Sequence, residues 1–228
     1  MAEAIHTSTS TLVWSKVLWL VAAAALAFAV PAIFSIGLRW DRQHFLIPYI
    51  GCIGLFLAVY FRAHPVSLRQ WIGYWPYAIA GTAFASVLLL MNIASQPSSA
   101  VPDGWLLALA LGWIGLAYGT IDGLLLNVFP VLIVQGASFY DAEPSSRSRL
   151  IQGLIALLAS LALTVIYHLG YTEFRGAAIV YAMVGNAMVT ATYLVTGSPL
   201  AAVVTHVIMH SAAVLHGTET TLQVPPHY

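Results

Sequence analysis

The chain has 228 residues, of which 60% are hydrophobic and only 7% are charged, and its mean hydropathy is +0.86. This composition is too apolar for a water-soluble domain and predicts an integral membrane protein. The formal net charge is zero and no run of lysine or arginine occurs, which excludes a nucleic-acid surface and leaves the lipid bilayer as the expected surrounding.

Seven apolar segments are long enough to cross a bilayer core of ~30 Å as helices. In chain order they are 17–38, 45–61, 72–91, 105–134, 150–168, 177–195 and 200–215. The fourth exceeds one upright crossing, so we expect it to tilt or to break near Gly119 or Pro130, and a break would raise the count to eight. Runs of this length predict an all-α, polytopic transmembrane helical bundle rather than a membrane β-barrel.

The chain divides into three predicted regions. Residues 1–104 hold an N-terminal tail and the first three spans, 105–217 form a C-terminal helical core, and 218–228 are a polar tail that we expect to be flexible. The first span is longer than a signal-peptide core and is expected to remain in the membrane. Cys52 has no partner for an intrachain disulfide and is expected to be a buried thiol.

Basic residues are distributed unevenly between the two ends of the predicted spans. One end carries five and the other three: Lys16, Arg62, Arg69, Arg147 and Arg149 against Arg39, Arg42 and Arg175. Because basic loops stay on the cytoplasmic side, this bias predicts a cytoplasmic N-terminus, and a bacterial inner membrane is the expected location.

Four ionisable residues within the apolar segments are the main clue to function. Asp122 is the only charged residue in the long apolar runs, and His168, His206 and His210 lie in later ones. An ionisable side chain in a bilayer core costs several kcal/mol unless it is paired or wetted, so it marks a candidate functional site. His206 and His210 are one helical turn apart and therefore share a face.

Local patterns around these residues predict how the helices pack. Gly115, Gly119 and Gly123 form a small-residue stripe that lets another helix approach the Asp122 segment closely. Asn186, in the middle of its span, is expected to make an interhelical hydrogen bond. Ser198, followed by a proline, predicts the start of the last helix.

The order of these features resembles the C-terminal core of the CPBP family, the CAAX-processing and bacteriocin-processing intramembrane proteases. The stretches that carry the resemblance are RLIQGLIALLASLALTVIYH at 149–168, the span 178–194, and TGSPLAAVVTHVIMH at 196–210. That family has Glu-Glu-x-x-x-Arg in one helix, Phe-x-x-x-His in the next and His-x-x-x-Asn/Asp in a later one. The resemblance covers roughly 111–215 and implies an intramembrane endopeptidase that acts on a membrane-associated peptide or protein.

The resemblance also implies roles for individual residues. By position, Asp122 stands at the family's first glutamate, and His168 and His206 stand at the histidines of the second and third motifs. Asp122 would be the general base toward a bound water. His168 and His206 would bind that water and the oxyanion, and His210 would orient them.

The chain departs from the family's motifs at four positions. Gly123 replaces the second glutamate, Asn127 the arginine and Thr164 the phenylalanine, and His210 stands where Asn or Asp is usual.

Because of these departures, two alternatives stay open. The chain could be a proteolytically inactive homologue that serves as an accessory or adaptor subunit of a membrane-protein complex. It could instead bind a divalent transition metal such as Zn²⁺, or a haem or pigment. The ligands in that alternative are the same four residues, Asp122, His168, His206 and His210.

Overall fold

The computed structural model describes residues 2–136 and 145–224, with side chains from residue 14 onward. Within these ranges the chain forms eight helices and no β-strand. They are α1 (Ala2–Pro31, extended by a π-helical turn over Ala32–Gly37), α2 (Arg42–Ala63), α3 (Leu68–Ile72), α4 (Trp75–Ala94), α5 (Gly104–Gln135), α6 (Ser146–Leu169), α7 (Ala178–Thr196) and α8 (Pro199–His216).

All of these helices except α3 are long and apolar enough to cross a membrane, which gives seven spans among the described residues. The predicted all-α transmembrane bundle is confirmed, and each predicted apolar segment corresponds to one helix to within a few residues, except that α1 already begins at Ala2. The physical reason is that a backbone in lipid must pair its own N–H and C=O groups, which a helix does within one segment. The chain is an integral membrane protein.

Capping residues fix several helix ends. At the start of α2 the Asp41 carboxylate accepts the backbone N–H of His44 at 3.1 Å, and this bond holds the pKa of Asp41 below its usual range. At the start of α8 the Ser198 hydroxyl accepts the N–H of Ala201 at 3.2 Å, as the sequence predicts. Gly197 ends α7 in the left-handed conformation, with φ +65°.

Helix α5 is the central helix of the bundle. Of its most apolar stretch 67% is buried, against 22–56% for the other spans. The helix runs through Gly119 and Pro130, so the expected break does not occur. Two π-helical turns, Leu111–Tyr118 and Leu124–Val128, lie within it instead, and the second directly precedes the turn that holds Pro130. A π turn relieves the clash of a proline ring with the preceding turn without breaking the helix.

The helices around α5 form one continuous bundle, in which α6 and α7 pack against each other. Helix α8 packs against α4, α5 and α7, whereas α1 packs against α2 and α6. Helix α2 contacts α5 directly, which places a residue of the first three spans beside Asp122.

Two expectations from the sequence are wrong: the flexible tail over 218–228 and the buried thiol of Cys52. The segment after α8 is anchored as far as Val224, because Arg42 donates to the Thr218 carbonyl at 2.6 Å and the Leu222 N–H donates to the Gln96 side chain at 2.9 Å. Residues 225–228 of the predicted tail lie outside the described residues. Cys52 is exposed on the outer face of α2, since that helix turns its other face toward the bundle.

Candidate functional site

Asp122 lies between the two π turns of α5 and is 3% exposed. One carboxylate oxygen accepts the hydroxyl of Tyr49 from α2 at 2.6 Å, and the other lies 3.1 Å from Nε2 of His206 on α8. Partners from two other helices therefore reach this carboxylate, and they compensate part of the cost of removing it from water.

Asn127 orients the His206 ring. Its amide NH₂ donates to the side chains of Asn186 at 2.7 Å and Thr190 at 2.9 Å, both on α7. This arrangement turns the amide oxygen of Asn127 toward Nδ1 of His206, which donates to it at 2.8 Å. Nε2 of His206 consequently points at Asp122 and lies 3.1 Å from its carboxylate oxygen.

His210 occupies the next turn of α8 but bonds differently. Its Nε2 lies 3.8 Å from the Asp122 carboxylate, beyond hydrogen-bonding distance, and its ring contacts the rings of His206 and Tyr118 with centroids 4.8 and 4.7 Å away. Within the described part of the chain neither ring nitrogen has a hydrogen-bond partner. Asn127 contacts Nδ1 of His206, and His210 has two buried nitrogens available for a ligand.

His168 lies near the end of α6 and faces the same space. Its Nδ1 donates to the Thr164 carbonyl at 2.8 Å, so Nε2 carries the lone pair of the neutral ring. The ring packs against Phe174 with centroids 4.5 Å apart. His168 lines a cavity of about 60 Å³ together with Asp122, His206 and His210. All four residues singled out from the sequence thus meet at one cavity, which is large enough for a few water molecules.

The glycine stripe lets α8 approach α5. A Cβ at Gly123 would lie 3.0 Å from the Cβ of His206, and one at Gly119 would lie 3.2 Å from the Cα of Val207. A Cβ at Gly115 would lie 2.6 Å from the hydroxyl of Ser211. The predicted close packing is confirmed, and its partner is the helix that carries the two histidines.

A second layer of polar side chains supports the site from α6 and α7. The Asn186 amide donates to Ser160 at 2.8 Å, and the Ser160 and Thr190 hydroxyls lie 2.7 Å apart. The interhelical hydrogen bond predicted for Asn186 is confirmed. The network joins α5, α6 and α7 and fixes the Asn127 amide that orients His206.

Tyr49 is the site residue that sequence reasoning missed. It is fully buried, and its ring lies 5.3 Å from that of Tyr118 and 5.7 Å from that of Tyr167. The Tyr167 hydroxyl in turn lies 2.7 Å from that of Tyr118 and 2.8 Å from that of Tyr171. The only signal in the sequence is a tyrosine in the first third of an apolar segment, which also suits ordinary packing.

Of the four expected metal ligands, the donor atoms of Asp122, His206 and His210 could hold an ion, whereas His168 is not part of this group. One atom from each lies within 4.8 Å of the others, and the two distances from the Asp122 oxygen are 3.1 and 3.8 Å. Ligands of a tetrahedral Zn²⁺ with bonds of 2.0–2.1 Å lie about 3.3 Å apart, so small adjustments would suffice. The hydrogen bond from Asn127 to His206 is typical of a residue that supports a metal-binding histidine. A haem or pigment, by contrast, does not fit a cavity of about 60 Å³.

Comparisons with protein-family models, with curated proteins and with solved structures find no match for this chain.

Proposed function

We propose that this protein is an intramembrane endopeptidase of the CPBP type, which activates water to cleave a peptide bond of a membrane-associated substrate. The observation that carries the proposal is the meeting of the Asp122 carboxylate with the imidazoles of His168, His206 and His210 at one small buried cavity. A carboxylate and imidazoles around a space of water size are the groups that general acid–base hydrolysis requires. The proposed location is a bacterial inner membrane.

The proposed mechanism assigns one step to each group. Asp122 takes a proton from a water in the cavity while the water oxygen attacks the carbonyl carbon of the substrate. His168 accepts a hydrogen bond from the water through Nε2, and His210 donates its N–H to the oxyanion, because both rings line the cavity. When the C–N bond breaks, Asp122 donates this proton to the leaving amine, while the His206 imidazole, whose Nε2 lies 3.1 Å away, stabilises the carboxylate that remains.

The test compares cleavage products in membranes. Membranes from cells that produce the wild-type chain should contain new protein N-termini, identified by mass spectrometry, that fall at least about 100-fold with Asp122→Asn. Asp103→Asn is the matched control, because Asp103 lies exposed at the start of the same helix. Both variants must insert into the membrane to the same level.

Two results would contradict the proposal. Product levels that survive Asp122→Asn would eliminate the carboxylate as the base. A stoichiometric membrane partner that copurifies with the chain, with a cellular phenotype unaffected by Asp122→Asn, would instead identify an accessory subunit without proteolytic activity.

Transition-metal binding is the second candidate function, and His210 is the observation that favours it. A buried imidazole with no hydrogen-bond partner among the described residues, 3.8 Å from a carboxylate oxygen, is suited to a shared cation. The purified protein should then bind one Co²⁺ with the visible absorption of a tetrahedral site. His210→Ala should remove that absorption, and His44→Ala, at an exposed position, should keep it. Unchanged absorption in His210→Ala would eliminate this site.

A further inference from the structure

A second cavity, separate from the Asp122 site, surrounds the only lysine of the chain. Its volume is about 430 Å³ and its lining comes from α1, α2, α5 and α7, among other segments. Lys16 of α1 lines this Lys16 cavity, and its Nζ is buried although the aliphatic part of the side chain is partly exposed. Among the described residues, Nζ has no hydrogen-bond partner.

An enclosed ammonium that makes no hydrogen bond to the protein is costly unless another group compensates its charge. Helices α2, α5 and α7 end beside the cavity, and their carbonyl ends attract the charge, yet none of the described carbonyls accepts a hydrogen bond from it. No carboxylate is present among the described residues that line the cavity. No described residue of the cavity therefore compensates the charge, and an anion would do so.

The other polar groups of the cavity also suit an anion. The Gln135 side-chain oxygen accepts the hydroxyl of Tyr193 at 3.3 Å, which leaves the Gln135 NH₂ group as a donor. His64 uses Nδ1 to donate to the Tyr60 carbonyl at 3.2 Å, so its ring is fixed at the rim. One positive charge and a side-chain amide donor thus face the same space.

The position of the cavity indicates the class of anion. Lys16 lies near the end of its span, and Trp19 contacts the rings of Tyr60 and His64 nearby, an aromatic cluster typical of the headgroup level of a bilayer. Leu132 and Ile133 add an apolar wall. A basic pocket between transmembrane helices at this depth suits a lipid headgroup.

We propose that the Lys16 cavity binds the phosphate group of a membrane phospholipid, with the Lys16 ammonium as its counter-ion. This site shares no residue with the Asp122 cavity and does not depend on the proposed peptidase activity.

Native mass spectrometry of the full chain in detergent tests the proposal by counting lipid adducts after addition of phosphatidylglycerol. Lys16→Gln should reduce the affinity at least about fivefold, while Lys16→Arg, which keeps the charge, should retain most of it. The matched control is Arg62→Gln, because Arg62 lies exposed outside the cavity at the end of α2 and should have little effect.

Competition experiments distinguish the source of the phosphate. Diacylglycerol, which lacks the phosphate, should not compete with phosphatidylglycerol. Inorganic phosphate should compete only weakly if the ligand is a lipid, and full competition by inorganic phosphate would overturn the lipid as the source. Equal phosphatidylglycerol binding by the wild-type chain and Lys16→Gln would overturn the site itself.

A separate measurement tests whether a carboxylate of the chain pairs with Lys16. Asp141 and Glu143 follow α5 in the sequence and lie outside the described residues. Because Lys16 is the only lysine, its modification by an amine-reactive ester is read from one peptide. Phosphatidylglycerol should protect it equally in the wild type and in the double variant Asp141→Asn, Glu143→Gln. A Lys16 that is protected without lipid and becomes reactive only in the double variant would overturn the proposal.

Discussion

Tyr49 donates the shorter of the two hydrogen bonds to the Asp122 carboxylate, 2.6 Å against 3.1 Å from His206. Tyr49→Phe removes the hydroxyl and keeps the ring, so the carboxylate loses a partner that lipid cannot replace. We expect the free energy of unfolding to fall by about 1–3 kcal/mol. Thermal unfolding in detergent micelles, followed by circular dichroism, measures the change.

Tyr77→Phe is the matched control for this substitution. Tyr77 is 65% exposed on α4, so loss of its hydroxyl should change the free energy of unfolding by less than about 0.5 kcal/mol. If the two variants unfold at the same temperature, the bond from Tyr49 contributes nothing to stability.

The residues of the site differ in how well the sequence predicts them. Asp122, His206 and His210 stand out because an ionisable group in an apolar segment is costly, and that cost is visible without coordinates. Tyr49 does not stand out, because the chain has 11 tyrosines and a tyrosine is compatible with an apolar segment. Which tyrosine reaches Asp122 depends on how α2 packs against α5.

At the level of helices, the site depends on the contact between α5 and α8. A Cβ at Gly123 would lie 3.0 Å from the Cβ of His206, an atom that cannot move without the α8 backbone. We therefore expect Gly123→Ala to separate the two helices, to lengthen the bond from His206 to Asp122 and to lower the free energy of unfolding by about 1–3 kcal/mol. Unfolding in mixed micelles gives the stability, and the peptidase or metal assay gives the function.

Gly112→Ala provides the control on the same helix. A Cβ at Gly112 meets no atom within 4 Å, so this change should leave the helix contact intact. The better helix propensity of alanine should leave stability unchanged or raise it by up to about 1 kcal/mol. Equal losses in Gly112→Ala and Gly123→Ala would mean that glycine content, rather than the α5–α8 contact, controls stability.

The helices were predictable because their length follows from the thickness of the bilayer and from the need to pair backbone groups. The continuity of α5 was not predictable. Gly119 and Pro130 are helix-weakening residues in a sequence, yet the surrounding helices and two π turns keep α5 intact. The orienting role of Asn127 also requires the structure, since its partners Asn186 and His206 come from α7 and α8.

At the scale of the whole molecule, the first three spans contribute to the site as well as surrounding it. Tyr49 of α2 bonds to Asp122, and Arg42 at the start of the same helix bonds to the Thr218 carbonyl beyond α8. The predicted division into an N-terminal layer and a C-terminal core therefore describes the order of the sequence better than the packing. A truncated C-terminal half would lack the hydroxyl that holds the carboxylate.

The distribution of basic residues leads to a prediction about orientation in the membrane. Helix α4 separates Arg69 from Asp103, so these two residues lie at opposite ends of the bundle. The end that carries Arg69 also carries Lys16, Arg62, Arg147 and Arg149, and we expect it to face the cytoplasm. In a Cys52→Ser background, Asp103→Cys should react with a membrane-impermeant maleimide in intact cells, and Arg69→Cys should react only after lysis.

The opposite labelling pattern would show that the end carrying Arg69 faces away from the cytoplasm. The same experiment identifies the leaflet in which the Lys16 cavity lies. Gln70, next to Arg69, lines that cavity, so Arg69 and the cavity lie at the same end of the bundle. If Arg69→Cys is protected in intact cells, the phospholipid proposed for Lys16 comes from the cytoplasmic leaflet, where anionic headgroups attract basic residues near the surface. Labelling of Arg69→Cys in intact cells would place the cavity in the outer leaflet. The excess of basic residues at this end would then not face the anionic headgroups of the cytoplasmic leaflet.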